Sequence, residues 1–215
     1  MDFNTLVGIV PILLKASIMT LKLTFLSVVF GTIIGVIVAM IKISSNKFIA
    51  SIGNFYTWIF RGTPLLLQLF VFYYGFPSVG ITLTSMQAAI IGLSINSGAY
   101  MAEIIRSGIL AIDKGQFEAS KALGFTHYQT MKRIVLPQAF RIVIPPVGNE
   151  FIAMIKDTSL VSSIAMEELL RSAGLLVSAS GNPIGPYFIT ACLYLLMTTV
   201  FTSIFSSIEK KLSIY

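Results

Sequence analysis

Apolar residues run through this chain in long blocks separated by short polar islands. Residues 23–41, 62–102 and 172–208 contain no charged side chain. A membrane-crossing helix needs about 20 mostly apolar residues, so these blocks predict spans. The first span is expected over residues 17–41. Gly31 and Gly35 there make a G-x-x-x-G spacing that lets another helix approach closely, for internal packing rather than a dimer seam. Residues 48–60 are mixed in polarity, with Tyr56 and Trp58, and predict a helix lying at the membrane interface. Pro64 follows Arg61-Gly62-Thr63 and predicts a helix start with proline in its first turn. The second span then runs to Tyr74. Gly75, Pro77 and Gly80 predict a short outer turn, and the third span covers residues 85–110. A fourth begins near Pro137 and carries Pro145-Pro146, where two missing backbone donors predict a break or kink. Residues 158–183 read as an outer re-entrant or short-helix segment, and the fifth span covers residues 187–208.

Composition sharpens this to a fold class. Apolar residues make up 55% of the chain and charged ones 11%, which excludes an ordinary soluble domain. The expected fold is an all-α integral membrane protein, one transmembrane domain over residues 1–215, with about five crossings. The net charge of +6 invites a nucleic-acid reading, but its distribution speaks for topology instead. Lys42, Lys47 and Arg61 lie between the first two spans. Arg106, Lys114, Lys121, Lys132, Arg133 and Arg141 surround residues 113–137, and Lys210 and Lys211 close the chain. The loop near residues 76–84 is uncharged, and residues 158–185 carry Glu167 and Glu168 against Arg171. The basic set is expected inside, which puts the N-terminus outside, the C-terminus inside and makes the crossings odd in number. The start, MDFNTLVGIVPILLK, is acidic and lacks a small-residue cleavage site, so a first span that directs its own insertion is expected. Cys192 stands alone in an apolar run, which predicts an inert packing residue and no disulfide or cysteine metal cluster.

The polar island at residues 118–137, EASKALGFTHYQTMKRIVLP, is the most informative stretch. Asp113 can cap a short helix through Leu123, and Gly124 can end it in a left-handed conformation. On its own this describes an amphipathic connector at the membrane surface. Position by position, however, it resembles the EAA loop of ATP-binding-cassette importer permeases: Glu118, Ala119, Gly124, Ile134, Leu136 and Pro137 match that pattern, and Ser120 replaces its second alanine. The resemblance implies a transport subunit with a cytoplasmic coupling helix in which Phe117, Glu118, Ala119, Lys121, Leu123 and Gly124 engage a separate ATPase. Phe117, Lys121 and Leu123 would face that partner. ATP and Mg would be bound by the ATPase subunit, with no cofactor in this chain. A second permease copy or homologue, an extracytoplasmic solute-binding protein and a bacterial or archaeal plasma (inner) membrane follow from the same resemblance. RGTPLLLQL, NSGAYMAEIIRSGI and NEFIAMIKDTSLVS, at residues 61–69, 96–109 and 149–163, are similar to stretches of the polar amino acid uptake group, of the histidine, glutamine and arginine kind.

Charges at membrane depth cost roughly 2.5–3.5 kcal/mol on insertion scales and usually face a cavity or a partner. Glu150 and Asp157 are seven residues apart, about two helical turns, and so share a face. They are expected to hold a cationic substrate side chain; otherwise Asp157 pairs with Lys156 or a neighbouring helix and Glu150 with Arg141 or Tyr100. Tyr100, Ser97, Asn149 and Gln68 complete the candidate substrate set, with Asn96 at similar depth. Glu103 and Arg106 predict an i,i+3 ion pair, and Arg61 a lipid-headgroup or loop contact. His127 has no second histidine nearby, so no metal site is expected. The chain lacks G-x-x-x-x-G-K-[ST], H-E-x-x-H and G-x-S-x-G, which argues against a self-contained ATPase or an intramembrane enzyme. A self-sufficient secondary transporter is disfavoured by the lack of an inverted repeat. The resulting expectation is uptake of arginine, lysine or histidine, with glutamine or another polar amino acid as the alternative.

Overall fold

The computed structural model describes residues 3–212, with side chains from Gly8 onward. Met1 and Asp2, the acidic start on which the self-inserting first span was reasoned, lie outside the described residues. Helix α1 runs over Phe3–Ile43, α2 over Lys47–Gly62, α3 over Leu65–Phe70, α4 over Ser85–Leu110 and α5 over Lys114–Ala122. Then come α6 over His127–Thr130, α7 over Leu136–Asp157, α8 over Leu169–Ser180 and α9 over Ile184–Leu212. No strand occurs among the described residues.

Close approaches set the directions. A Cβ added at Gly31 would lie 2.8 Å from Ser97 Cβ, and one at Gly35 2.5 Å from Met101 Cβ, so α1 and α4 run side by side in the same direction. The G-x-x-x-G spacing therefore serves internal packing, as expected. Ser97 meets Glu150 while Gly108 meets Val143, which makes α7 antiparallel to α4. The rings of Phe151 and Phe201 pack tilted with centroids 4.8 Å apart, and Gly148 lies against Phe205, which makes α9 antiparallel to α7. Helix α3 runs antiparallel to α4, with Gln68 bonded to Asn96 and Phe72 against Gly92, while Gly53 of α2 packs on Val38 of α1. Among the described residues three helices are long and apolar enough to cross a membrane, within Gly8–Ile43, Ser85–Leu110 and Ile184–Leu212.

A separate amphipathic helix, α2, covers residues 48–60 as expected, with one face packed on the bundle. Helix α2 packs along α1 and α4 with Gly53 and Thr57 buried, and Tyr56 Oη donates a 2.6 Å hydrogen bond to the Ile95 carbonyl. Its small residues permit that approach, while Phe48, Ile52, Phe55 and Trp58 cover the outer side. A new helical segment starts at Leu65, directly after Pro64, as expected, and continues through helical turns to Val79.

Of the break or kink expected at Pro145 and Pro146, no break occurs: helix α7 continues through both. The residues four positions before them, Arg141 and Ile142, lie on its exposed side. Wide π turns form instead at Val71–Gly75 and Met131–Val135, each just before a proline, Pro77 or Pro137. A proline ring clashes with the carbonyl four residues back, and the extra residue of a π turn relieves that clash. Cys192 is exposed on α9 rather than packed inside the chain. Glu168, counted only as an outer charge from the sequence, is fully buried. It caps α8 by accepting from Leu170 and Arg171 N–H at 2.9 and 2.7 Å, and Tyr194 Oη donates to it at 2.9 Å.

Candidate functional site

A cavity of about 400 Å³ opens where the α2–α3 run breaks. Thr63, Pro64 and Leu65 form one wall, Asn96 and Tyr100 of α4 a second, and Glu150, Ala153 and Asp157 of α7 a third. The break follows from Pro64, which has no N–H to give the Phe60 carbonyl four residues earlier. That carbonyl instead accepts from Gln68 Nε2 at 3.0 Å and from Asn96 Nδ2 at 2.9 Å. Gln68 also donates to the Thr63 carbonyl and hydroxyl at 3.1 and 2.9 Å and accepts from Asn96 at 3.0 Å. Pro64 itself is extended, at φ −60° and ψ 133°, so the chain swings aside and leaves the space. On α7 the positions 150, 153 and 157 fall on one helical face. Glu150 Oε1 accepts a 2.9 Å hydrogen bond from Ser97 Oγ.

Below the cavity lies a dense charge network. Lys42 donates to Glu103 and, at 2.7 Å, to Thr57 Oγ1. Arg106 forks onto the second oxygen of Glu103 at 2.9 and 2.8 Å, so the expected i,i+3 pair exists inside a larger cluster. Arg61 contributes at 3.8 Å to Glu103, and its guanidinium carbon stands 5.2 Å from the Tyr100 ring centroid. It therefore turns toward the helices rather than toward lipid.

The polar island folds as its residues suggest. Asp113 caps α5 by accepting from Gly115 N–H at 2.7 Å. At the other end Gly124 takes φ +77°, Phe125 N–H donates to the Ser120 carbonyl and Gly124 N–H to the Lys121 carbonyl, each at 3.0 Å. That pair of bonds is a Schellman termination. Ser120 shares a 2.9 Å hydrogen bond with Thr130 and is buried, tying α5 to α6. Phe117 departs from expectation: instead of facing outward, it packs against the cluster of Ile109, Ile112, Val135 and Ala139. Glu118, Ala119, Lys121 and Leu123 are exposed, Leu123 to 75%.

With this geometry in place, residues 31–214 match the family model described as binding-protein-dependent transport system inner membrane component. The chain belongs to this family. The arginine transport system permease protein ArtQ of Bacillus subtilis is 38% identical over 213 residues, covering 99% of this chain and 97% of that one. A putative glutamine transport system permease protein of Rickettsia bellii is 40% identical, covering 93% of this chain and 92% of its own. The L-cystine transport system permease protein TcyB of Bacillus subtilis is 41% identical, covering 95% and 88%. A crystal structure of an amino acid ABC transporter with histidines superposes with a TM-score of 0.93 at 41% identity, over 98% of this chain and 99% of that one. The MetNI methionine transporter, at 22% identity and a TM-score of 0.82, shares the fold.

In this permease, a transport component rather than an enzyme, four of the polar residues singled out from sequence meet around one space: Glu150, Asp157, Tyr100 and Asn96. Ser97 is fully buried behind Glu150. Gln68 does not line the cavity, because the carbonyls freed by Pro64 and the Asn96 amide take up its amide group. Asn149 is exposed and points away from the lining. Thr63, Leu65 and Ala153 went unnoticed in the sequence. Thr63 and Leu65 flank Pro64, and Ala153 is the small residue that leaves room between two acids.

Proposed function

We propose that this permease is the membrane subunit of an ATP-driven importer for amino acids with a cationic side chain, arginine, lysine or histidine. The observation that carries the reading is the pair of carboxylates, Glu150 and Asp157, on one wall of the cavity beside Tyr100 and Asn96. Two acids in a space of amino-acid size offset the cost of bringing a cation to membrane depth. The relative named for arginine transport and the structure with histidines support the choice. Relatives named for glutamine and cystine make neutral substrates the rival.

Residues 113–137 serve as the coupling loop, with α5 on the cytoplasmic side against an ATPase subunit that binds ATP and Mg. The chain's N-terminal side is then extracytoplasmic, where a solute-binding protein delivers substrate. Two copies, or this chain and a homologue, enclose the pathway in a bacterial or archaeal inner membrane. ATP-driven movement of α5 passes through the π turn and Pro137 into α7, which carries both acids.

ATPase activity of the reconstituted transporter, measured against a panel of basic, neutral polar and acidic amino acids, tests the reading. Stimulation by basic amino acids that collapses in Glu150→Gln is the expected result. Stimulation by glutamine alone, indifferent to Glu150→Gln, would assign the cavity to neutral substrates.

A further inference from the structure

Arg61 stands at the C-terminal end of α2, next to the cavity. Its guanidinium lies over Tyr100, whose ring is part of the cavity wall. The carboxylate it approaches is already satisfied: Lys42 takes one oxygen of Glu103 and Arg106 takes the other. Arg61 reaches that group only at 3.8 Å, keeps 43% of its side chain exposed and donates no hydrogen bond among the described residues. A guanidinium resting on an aromatic face with its N–H fork unused is preorganised for a carboxylate, because the planar donors match the two oxygens.

We propose that Arg61 receives the α-carboxylate of the transported amino acid. The cavity then recognises a zwitterion by its two ends, with Arg61 on the acid and Glu150 and Asp157 on the cationic side chain. This rests on the substrate reading above and extends it from a charged side chain to a free α-carboxylate. Decarboxylated amines are thereby bound more weakly within the membrane, independently of any binding protein.

The permease–ATPase complex in lipid nanodiscs, without binding protein, tests this by calorimetric titration with L-arginine and with agmatine, which is arginine without its carboxylate. The intact complex is expected to bind L-arginine at least tenfold more tightly than agmatine. Arg61→Gln should remove that advantage by weakening L-arginine alone, so that unchanged agmatine binding reports an intact fold, and Arg61→Lys should restore part of it. Equal binding of the two ligands by the intact complex would overturn the proposal. So would an Arg61→Gln complex that keeps the difference, or one that loses both ligands by the same factor. Glu150→Gln separates the two readings, since it should weaken both ligands. If it leaves both untouched, the cationic-substrate reading fails, whatever the Arg61 variants show.

Discussion

Ser97 Oγ donates a 2.9 Å hydrogen bond to Glu150 Oε1 from a fully buried position, joining α4 to α7 at the back of the cavity. The serine holds one carboxylate oxygen, so the other is turned toward the space. A hydrogen bond to a charged group contributes about 1.5–3 kcal/mol. Ser97→Ala is expected to raise the concentration of L-arginine needed for half-maximal ATPase stimulation by about tenfold, together with a lower unfolding midpoint in detergent. An unchanged concentration would mean that Glu150 is positioned by α7 alone.

Glu103 is the hub of the charge network, and Lys42 beside it keeps only 6% side-chain exposure. Breaking a buried pair leaves an uncompensated charge and costs about 3–5 kcal/mol. Glu103→Gln is expected near the lower end of that range, because Glu103 retains 20% exposure and Arg106 can turn outward. Replacing both partners, Lys42→Met with Glu103→Leu, should recover most of the loss. A double-mutant cycle on unfolding midpoints measures this. Additive losses would show that the two side chains do not depend on each other.

The α1–α4 contact predicts opposite effects for two glycines. A Cβ at Gly35 would stand 2.5 Å from Met101 Cβ and 3.0 Å from the Ala102 backbone nitrogen, so relief requires the helices to part. Gly35→Ala is expected to destabilise by about 1–3 kcal/mol, the usual cost of overpacking. Gly174 on α8 has nothing within 4 Å of its added Cβ. Gly174→Ala should be neutral or stabilise by up to about 1 kcal/mol, the helix-propensity difference. Equal unfolding midpoints for the two variants would refute the close packing of α1 on α4.

The features legible in the sequence were those set by local chemistry. Asp113 and Gly124 are a cap and a left-handed stop wherever they are placed, and Gly31 and Gly35 can only mark a close approach. Glu150 and Asp157 share a face through helical period alone. What was misread depended on three-dimensional context. The role of Gln68 depended on the Phe60 carbonyl that Pro64 leaves open, a relation over eight residues that no periodicity reveals. Phe117 looked outward-facing because its apolar partners, Ile109, Ile112, Val135 and Ala139, come from the flanking helices rather than from its own turn.

That inward Phe117 divides α5 into residues that hold it in place and residues left exposed. Phe117→Ala removes a half-buried ring and is expected to cost roughly 2 kcal/mol, less than the 3–5 kcal/mol or so of a fully buried phenylalanine. Leu123, at 75% exposure, contributes little to the fold, so Leu123→Asp should leave the unfolding midpoint unchanged. If α5 is the ATPase contact, Leu123→Asp should still sharply reduce co-purification of the ATPase subunit in mild detergent, because it places a charge in an apolar contact. Gly124→Val tests the link between the two groups. At φ +77° a β-branched residue is strained by about 1–3 kcal/mol, with no clash around its Cβ, so the Schellman end should loosen and coupling should fall before stability does. Co-purification that survives Leu123→Asp and Gly124→Val but fails with Phe117→Ala would place the ATPase contact elsewhere and leave α5 as a structural strut.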